Sequence, residues 1–261
     1  TLFSLGEPVA IGCGKNVYIH VKKKYKNITT ETASCILAEI EQNVEFYNEV
    51  INPKSISPHH KYRKMKIFSL LSDIADTRME SSRYFAIQIL QAFDKNEIYQ
   101  ENAEKLLSEL LTTLVRRKVS ASATNMYNRV FPSLFGKIRN RENLVDAFID
   151  EMIDAGIYVT DELFKESFVK NKLYSTSAEL SFTRMILKNI DKSQEPYSQH
   201  ADYQNFDTVE HIMPQKLSSE WKRYIGNDAN NQILKIHINS IGNLCLLNKK
   251  ANSHASQDVF E

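Results

Sequence analysis

Glu210 and His211 are the residues of this chain whose types and spacing best fit acid–base chemistry. They stand side by side in a short, mostly apolar run, VEHIMPQ, in which Pro214 ends the extended pattern. A near-neutral imidazole suits the removal of a proton from water. A carboxylate oxygen is a hard ligand of the kind that magnesium binds. The pair alone means little, because a lone histidine is more often a core or surface group than a catalyst.

Two asparagines downstream extend the pattern toward phosphodiester hydrolysis. Asn243 lies in a Gly-Asn turn that leads into a second apolar run, and Asn252 follows nine positions later. Glu210 and Asn252 could supply oxygen ligands to a divalent cation while His211 stays unligated. Because successive strand residues point to opposite faces, Glu210 and His211 converge on one site only if a turn or bulge occurs here, which Pro214 makes plausible.

The elements that must position these residues form a small C-terminal unit. The pattern predicts short strands at 206–212 and 244–248, with a short helix at 218–225 between them. Residues 191–205 are polar, aperiodic and contain Pro196, which is typical of a linker. We therefore expect a linker at 191–205 and a mixed α+β domain at 206–261.

The first 190 residues predict a helical domain. Only seven glycines and six prolines occur in 261 residues, which favours long regular elements. Apolar spacing and N-cap residues predict helices at about 32–50, 66–77, 81–94, 98–118, 123–139, 142–155, 160–170 and 177–190. The expected fold class is therefore mainly α: a helical body followed by a small α+β unit.

Composition excludes several classes of protein. The net charge of +1 gives no hint of nucleic acid or membrane by itself. No segment is apolar enough to span a bilayer. The three cysteines are widely spaced without a CxxC pair, which argues against a disulfide framework or a zinc knuckle and favours a cytoplasmic location.

Positive charge is concentrated in one stretch of the helical body. Residues 111–141 contain no acidic residue, whereas 142–166 carry eight. Fixed cations of this kind can contact DNA phosphates, and the candidate DNA-binding residues are Arg116, Arg117, Lys118 and Arg129. The alternative is a solvated helix face that pairs with the acidic run after it.

The C-terminal motif resembles a known nuclease family. The run VEHIMPQ…W…SIGNLCLLNKKANSHAS is similar to the HNH (His-Me finger) domain at the C-terminus of GmrSD-type modification-dependent restriction enzymes and their phage-defence relatives. It is more distantly similar to the HNH domain of RNA-guided CRISPR nucleases. The resemblance is specific over about 206–260. It implies a ββα-metal fold that holds one divalent ion, Mg²⁺ or Mn²⁺.

The resemblance also implies roles for individual residues. His211 falls at the general base, while Glu210 and Asn252 fall at the metal ligands. Asn243 falls at the asparagine that supports the loop and orients the histidine, and Trp221 at a packing position. His237 is an alternative phosphate contact, and His254 could replace Asn252 as a ligand.

Two departures from the family pattern stand out. Glutamate replaces the commoner aspartate at position 210, and its longer arm must shift the metal or the backbone. The chain also ends at Glu261, where relatives continue into the helix of the ββα unit, so we expect an incomplete domain. Relatives carry a nucleotide-hydrolysing sensor domain upstream, and nothing in these residues resembles it.

The implied function is a metal-dependent DNA endonuclease of bacterial defence. One HNH site cuts one strand, so nicking is the expected outcome. A non-catalytic nucleic-acid- or partner-binding helical module with a degenerate HNH unit is the alternative, and an RNase is a third, since the chemistry does not depend on the sugar. If these residues alone fail to cut DNA, truncation would explain it as well as a binding role would.

Overall fold

The computed structural model describes residues 29–123, 126–174, 176–194, 208–226 and 237–247, together with the isolated positions 22 and 26. The described residues fall into two compact units. The first comprises residues up to Lys118 together with Ser122–Val159, and the second comprises Val119–Ala121 and the residues from Thr160 onward.

The first unit is built from six helices within the described residues. They are α1 (Thr30–Ile51), α2 (Lys66–Asp76), α3 (Arg83–Asp94), α4 (Gln100–Val119, whose last residue belongs to the second unit), α5 (Tyr127–Ile138) and α6 (Leu144–Asp154). Side-chain oxygens cap two of them: Thr29 accepts from the Thr32 amide before α1, and Asn143 accepts from the Val145 and Asp146 amides before α6. Each cap satisfies amides that the first helical turn leaves without a partner.

Aromatic rings form the centre of the first unit. Phe85 of α3 lies between two other rings, with centroid distances of 6.4 Å to Phe131 of α5 and 5.4 Å to Phe148 of α6. All three rings are fully buried. Burial of such rings is among the largest favourable contributions a side chain makes to folding, so this contact joins α3, α5 and α6.

Within the described residues, the second unit combines three α-helices with a pair of antiparallel strands. Helices α7 (Asp161–Lys170) and α8 (Leu180–Ser193) precede β1 (Thr208–His211), α9 (Ser219–Ile225) and β2 (Leu244–Leu247). The strands pair antiparallel, with Thr208 opposite Leu247 and His211 opposite Leu244. Helix α8 packs against both strands and buries its apolar face, formed by Phe182, Met185 and Ile186.

The mainly helical fold class predicted from the sequence is confirmed, and both predicted strands are present. The helix that would complete a ββα unit falls on residues after 247, outside the described part of the chain. Helices α7 and α8 belong to the same compact unit as the strands, whereas the sequence analysis placed them in a helical domain that ends at 190. Among the described residues, no helix combines the length and apolarity needed to cross a membrane.

Candidate nuclease site

His211 is the last residue of β1, and two amide side chains meet its ring. His211 Nε2 lies 2.8 Å from Asn239 Oδ1 and 3.3 Å from Gln215 Nε2. Gln215 Nε2 in turn donates a hydrogen bond of 3.0 Å to Asn239 Oδ1. The ring is half-buried, and these contacts fix its orientation at the end of the strand.

A tyrosine from the segment between α7 and α8 also contacts the ring. The rings of Tyr174 and His211 are stacked, with centroids 5.8 Å apart and an interplanar angle of 25°. The neighbouring residue, Leu173, donates its amide hydrogen to the Asn239 carbonyl at 3.0 Å. The same segment therefore supports both the histidine and the residue that bonds to it.

Asn243 holds together the chain segments on either side of the site. Its Oδ1 accepts from the Met213 amide at 2.8 Å, and its Nδ2 donates to the carbonyls of Met213 at 3.0 Å and Ile238 at 2.8 Å. Its own carbonyl accepts from the Ile212 amide at 2.9 Å. The three bonds with Met213 and Ile212 join the loop after β1 to the turn before β2, and the bond to Ile238 holds that turn together.

The family resemblance assigns two roles to Asn243, support of the loop and orientation of the histidine. In the structure, the contacts that correspond to these two roles are made by different residues. The hydrogen bonds of Asn243 go to the backbone of the loop. The polar side chains that the described residues bring to the His211 ring are Asn239 and Gln215. Neither was singled out from the sequence. Their only sequence signal is that they are amides four residues from Asn243 and His211 respectively.

Glu210 and His211 lie on opposite faces of the two-stranded sheet. Glu210 pairs directly with Cys245, while His211 pairs with Leu244, and directly paired residues share a face of the sheet. Burial raises the pKa of the Cys245 thiol, and the negative charge of Glu210 raises it further. The ladder is regular from Thr208 to His211, so the turn expected from Pro214 follows the pair rather than separating its members.

The donor chemistry of Glu210 fits a hard cation, since a carboxylate oxygen is a preferred ligand of Mg²⁺. The neighbouring Cys245 offers a soft sulfur, which suits Mg²⁺ less well than a carboxylate oxygen does. Asn252, the second expected ligand, and His254, its alternative, lie outside the described residues. His237 is described and half-buried; its carbonyl accepts hydrogen bonds from the Ser240 amide and hydroxyl.

Another group of metal-type donors occurs in the helical unit. Within the described part of the chain, Glu45, Glu49 and His60 bring donor atoms within 4.8 Å of one another. His60 Nδ1 accepts from the Tyr62 amide at 3.3 Å, and His60 Nε2 lies 3.2 Å from Glu49 Oε1. A neutral ring with an accepting Nδ1 carries its hydrogen on Nε2, whereas a ring ligating through Nε2 needs that atom bare and its other nitrogen as donor. The arrangement therefore fits a His–Glu hydrogen bond better than a metal site.

The three basic residues at the C-terminal end of α4 are bonded to backbone carbonyls within the first unit. Arg117 is only 8% exposed, and its guanidinium donates to the carbonyls of Gly156 and Ala123. Arg116 donates to the Val159 carbonyl at 3.0 Å, and Lys118 donates to the Thr77 carbonyl at 2.8 Å. Gly156 follows α6 in a left-handed conformation, with φ of 65°, which glycine adopts without strain. Arg117 thus ties the end of α6 to α4.

The remaining cations of the 111–141 stretch face solvent. Arg129 of α5 is exposed. Lys137 pairs with Glu151 at 2.6 Å, and Arg141 pairs with Asp150 at 3.7 Å. Both acidic partners come from the run that follows in the sequence. The pairing alternative is therefore confirmed for these two cations, while DNA contact by Arg129 stays a prediction.

Comparison with known proteins gives a match in the C-terminal part of the chain only. No curated protein and no solved structure gives a significant match. Residues 158–261 match the family model of the C-terminal domain of GmrSD restriction endonucleases. This range contains all of the second unit from Thr160 onward, with α7, α8, both strands and the His211 site. The resemblance predicted from the motif is thereby confirmed: the match over residues 158–261 is consistent with the C-terminal region of GmrSD-type restriction endonucleases.

Proposed function

We propose that the protein is a metal-dependent DNA endonuclease in which His211 activates a water molecule against a phosphodiester. The observation that carries this proposal is the placement of His211. Its ring ends β1, is half-buried, and bonds through one nitrogen to Asn239 while Tyr174 stacks against it. A ring held in one orientation, with its second nitrogen available, is what general-base catalysis requires.

The family match supports the reaction class. Restriction endonucleases cut DNA, and the matched range includes every residue of the candidate site. In this proposal Glu210 and Asn252 hold a single Mg²⁺ or Mn²⁺ ion. Because the regular ladder places Glu210 and His211 on opposite faces, the proposal requires the end of β1 to turn when the ion binds, so that the carboxylate reaches the side of the histidine. When bound, the ion would offset negative charge on the scissile phosphate and the departing oxygen. Asn243 keeps the loop after His211 in place through its bonds to Met213 and Ile238.

One such site cuts one strand, so the expected product of a single event is a nick. Cleavage of both strands would require a second site, for example in a dimer. The proposal extends to a restriction function in phage defence, with foreign DNA as the substrate and an upstream nucleotide-hydrolysing sensor domain as the controlling partner; the family match over 158–261 supports the restriction endonuclease part.

The helical unit gives less support to a purely binding function. That alternative rested on the basic stretch, and three of its four candidate residues donate to backbone carbonyls of their own unit: Arg116, Arg117 and Lys118. Of the four candidate DNA-binding residues, Arg129 is the one that remains as a candidate phosphate contact, and it is exposed. The nuclease is therefore the function that we carry forward.

Conversion of supercoiled plasmid to the open-circle form, in Mg²⁺ or Mn²⁺, tests the proposal. His211→Ala should reduce nicking by about 10²-fold or more, because general-base catalysis contributes about that much. The matched control is His59→Ala, which removes an exposed histidine of the other unit and should cut like the wild type. Equal nicking by wild type and His211→Ala would refute the assignment, and cleavage of RNA but not plasmid would move the protein to the RNase alternative.

A further inference from the structure

We infer that Asn239 is a positioning residue for His211. Its side-chain oxygen holds the ring as the Nε2–H tautomer and leaves Nδ1 as the nitrogen that accepts a proton. The catalytic meaning of this tautomer rests on the proposed function, in which His211 is the general base. Gln215 is the residue that keeps the Asn239 side chain in the required orientation.

The contact between Asn239 and the ring determines which nitrogen carries the hydrogen. Asn239 Oδ1 lies 2.8 Å from His211 Nε2. An amide oxygen can only accept, so this distance is a hydrogen bond only if Nε2 is the donor. A neutral imidazole with hydrogen on Nε2 has its lone pair on Nδ1.

Gln215 supports the same arrangement. Its Nε2 donates to Asn239 Oδ1 at 3.0 Å, so the oxygen accepts two hydrogens, one for each of its lone pairs. Gln215 Nε2 and His211 Nε2 then lie 3.3 Å apart because both donate to the same oxygen, Asn239 Oδ1. If both amides were reversed, Asn239 Nδ2 would donate to His211 Nε2 and the ring would carry its hydrogen on Nδ1. The two amides therefore select the tautomer together.

The backbone around Asn239 keeps its side chain in reach of the ring. The Asn239 carbonyl accepts from the Leu173 amide at 3.0 Å, and the next residue, Tyr174, stacks against His211. Leu173 also bonds through its carbonyl to the Thr183 hydroxyl of α8. Since none of these bonds uses the Asn239 side chain, a substitution of that side chain leaves the backbone support in place.

The tautomer matters because of where the proton goes. As the water oxygen bonds to phosphorus and the bond to the leaving sugar oxygen breaks, one proton moves from water to Nδ1. The ring becomes an imidazolium whose Nε2–H stays donated to Asn239 Oδ1, and hydrogen bonds from charged donors are stronger than those from neutral ones. The leaving oxygen takes a proton from a second water, and the imidazolium returns its proton to solvent, so atoms and charge balance.

Nuclear magnetic resonance of ¹⁵N-labelled protein tests the tautomer without reference to activity. The spectrum is recorded without metal, at a pH high enough that the ¹⁵N signals of the His211 ring no longer change with pH. The signals of His211 are identified by their loss in His211→Gln. We expect the Nε2–H tautomer, with a proton signal protected from exchange by its hydrogen bond. The Nδ1–H tautomer would mean that both amides are reversed and would overturn the inference.

Variants of Asn239 then separate positioning from packing. Asn239→Leu has a similar shape but no acceptor, so the protected Nε2–H signal should disappear and nicking should fall about 10- to 100-fold, as for other partners that orient a functional histidine. Asn239→Asp keeps an acceptor oxygen and should restore the signal and part of the rate. Gln215→Leu should weaken both the protected Nε2–H signal and the nicking rate, by a smaller factor than Asn239→Leu does. Asn189→Ala, which removes an amide bonded to the Met185 carbonyl of its own helix, is the control.

The outcomes distinguish this inference from the proposed function. If Asn239→Leu retains the protected Nε2–H signal, Asn239 does not hold the tautomer, whatever the nicking rate. If the signal disappears and Asn239→Asp restores it while His211→Ala still nicks normally, the tautomer assignment stands and the general-base proposal fails. A third outcome is that Asn239→Leu loses nicking while its Nε2–H signal is unchanged, and that Asn239→Asp does not restore the rate. Asn239 would then have a packing role, and the inference would be overturned.

Discussion

Asn243 and Met213 exchange two hydrogen bonds across the candidate site. The Met213 amide donates to Asn243 Oδ1 at 2.8 Å, and Asn243 Nδ2 donates to the Met213 carbonyl at 3.0 Å. The side chain of Asn243 thus pairs with a loop residue as a neighbouring strand would. This exchange continues the contact between the two chain segments beyond the last ladder pair, His211 with Leu244.

Removal of this exchange should loosen the loop that follows His211. Asn243→Ala deletes three side-chain hydrogen bonds, which also serve Ile238, and leaves half-buried backbone groups without partners. The free energy of unfolding should fall by about 2 kcal/mol, and nicking should fall because the histidine loses its fixed setting. Thermal unfolding and plasmid nicking measure the two effects.

Asn189→Ala is the control for this substitution, because Asn189 is an exposed residue of α8 whose Nδ2 donates to the Met185 carbonyl one turn earlier in the same helix. It should cost less than about 1 kcal/mol. An Asn243→Ala protein with the wild-type melting temperature would show that the exchange with Met213 contributes nothing to the fold.

Arg117 should matter for stability rather than for DNA. It is buried and donates to the carbonyls of Gly156 and Ala123. Arg117→Ala removes both donors and should lower the free energy of unfolding by about 2–3 kcal/mol, the range for hydrogen bonds to charged groups. Arg117→Lys should restore only part of this loss, since a lysine lacks the planar fork that reaches two acceptors. Denaturant unfolding checks both variants.

Arg129→Ala is the matched substitution on the surface. Because Arg129 is exposed, its removal should change stability by less than about 0.5 kcal/mol. If it contacts a phosphate, DNA affinity should fall and the slope of log affinity against log salt should become shallower by about one. Unchanged affinity and slope would exclude this contact.

Glu49 should make the stability of the helical unit depend on pH. Burial, followed by the charges of Glu45 and Asp94, raises the pKa of Glu49 from 4.5 to about 7. Between these values the folded protein keeps a proton that the unfolded chain has released, so stability falls as the pH rises through this window. The contribution is fully present below about pH 4.5 and is lost as the pH rises through about 7.

Glu49→Gln removes the ionisable group and should flatten this dependence. The variant should resemble the wild type near pH 4 and exceed it by about 3 kcal/mol near pH 8. Glu41→Gln, an exposed substitution on the same helix, should keep the wild-type slope. Urea unfolding across this range measures the difference; equal slopes in wild type and Glu49→Gln would contradict the raised pKa.

The charge of Glu210 should control the reactivity of Cys245 across the ladder. The pKa of the thiol lies above its ordinary range because of burial first and Glu210 second. Since the thiolate is the reactive form, Glu210→Gln should lower this pKa and speed alkylation by iodoacetamide a few-fold at fixed pH. The measurement uses protein with Cys13→Ser and Cys35→Ser. Glu220→Gln, on the exposed side of α9, should have no effect. An unchanged alkylation rate in Glu210→Gln would show that the charge of Glu210 does not raise the pKa of the Cys245 thiol.

The sequence by itself determined the elements and the local motif. Apolar spacing and caps predicted the helices, because helix formation depends on neighbours three and four residues away. The strands at 208–211 and 244–247 lie within the predicted ranges, and the motif around His211 and Asn243 identified the nuclease family that residues 158–261 match. Asn252, the fourth residue of the predicted site, lies outside the described residues.

The tertiary structure alone decided which side chains surround His211. Asn239 is 28 positions away in sequence, and Tyr174 comes from a segment that the sequence analysis placed in another domain. The same holds for Arg117, whose charge suggested DNA but whose guanidinium donates to the carbonyl of Gly156, 39 positions away in the sequence. Local periodicity determines where a helix begins and ends, but contacts between distant segments depend on how those elements pack, and a residue's type does not reveal its partner before the chain has folded.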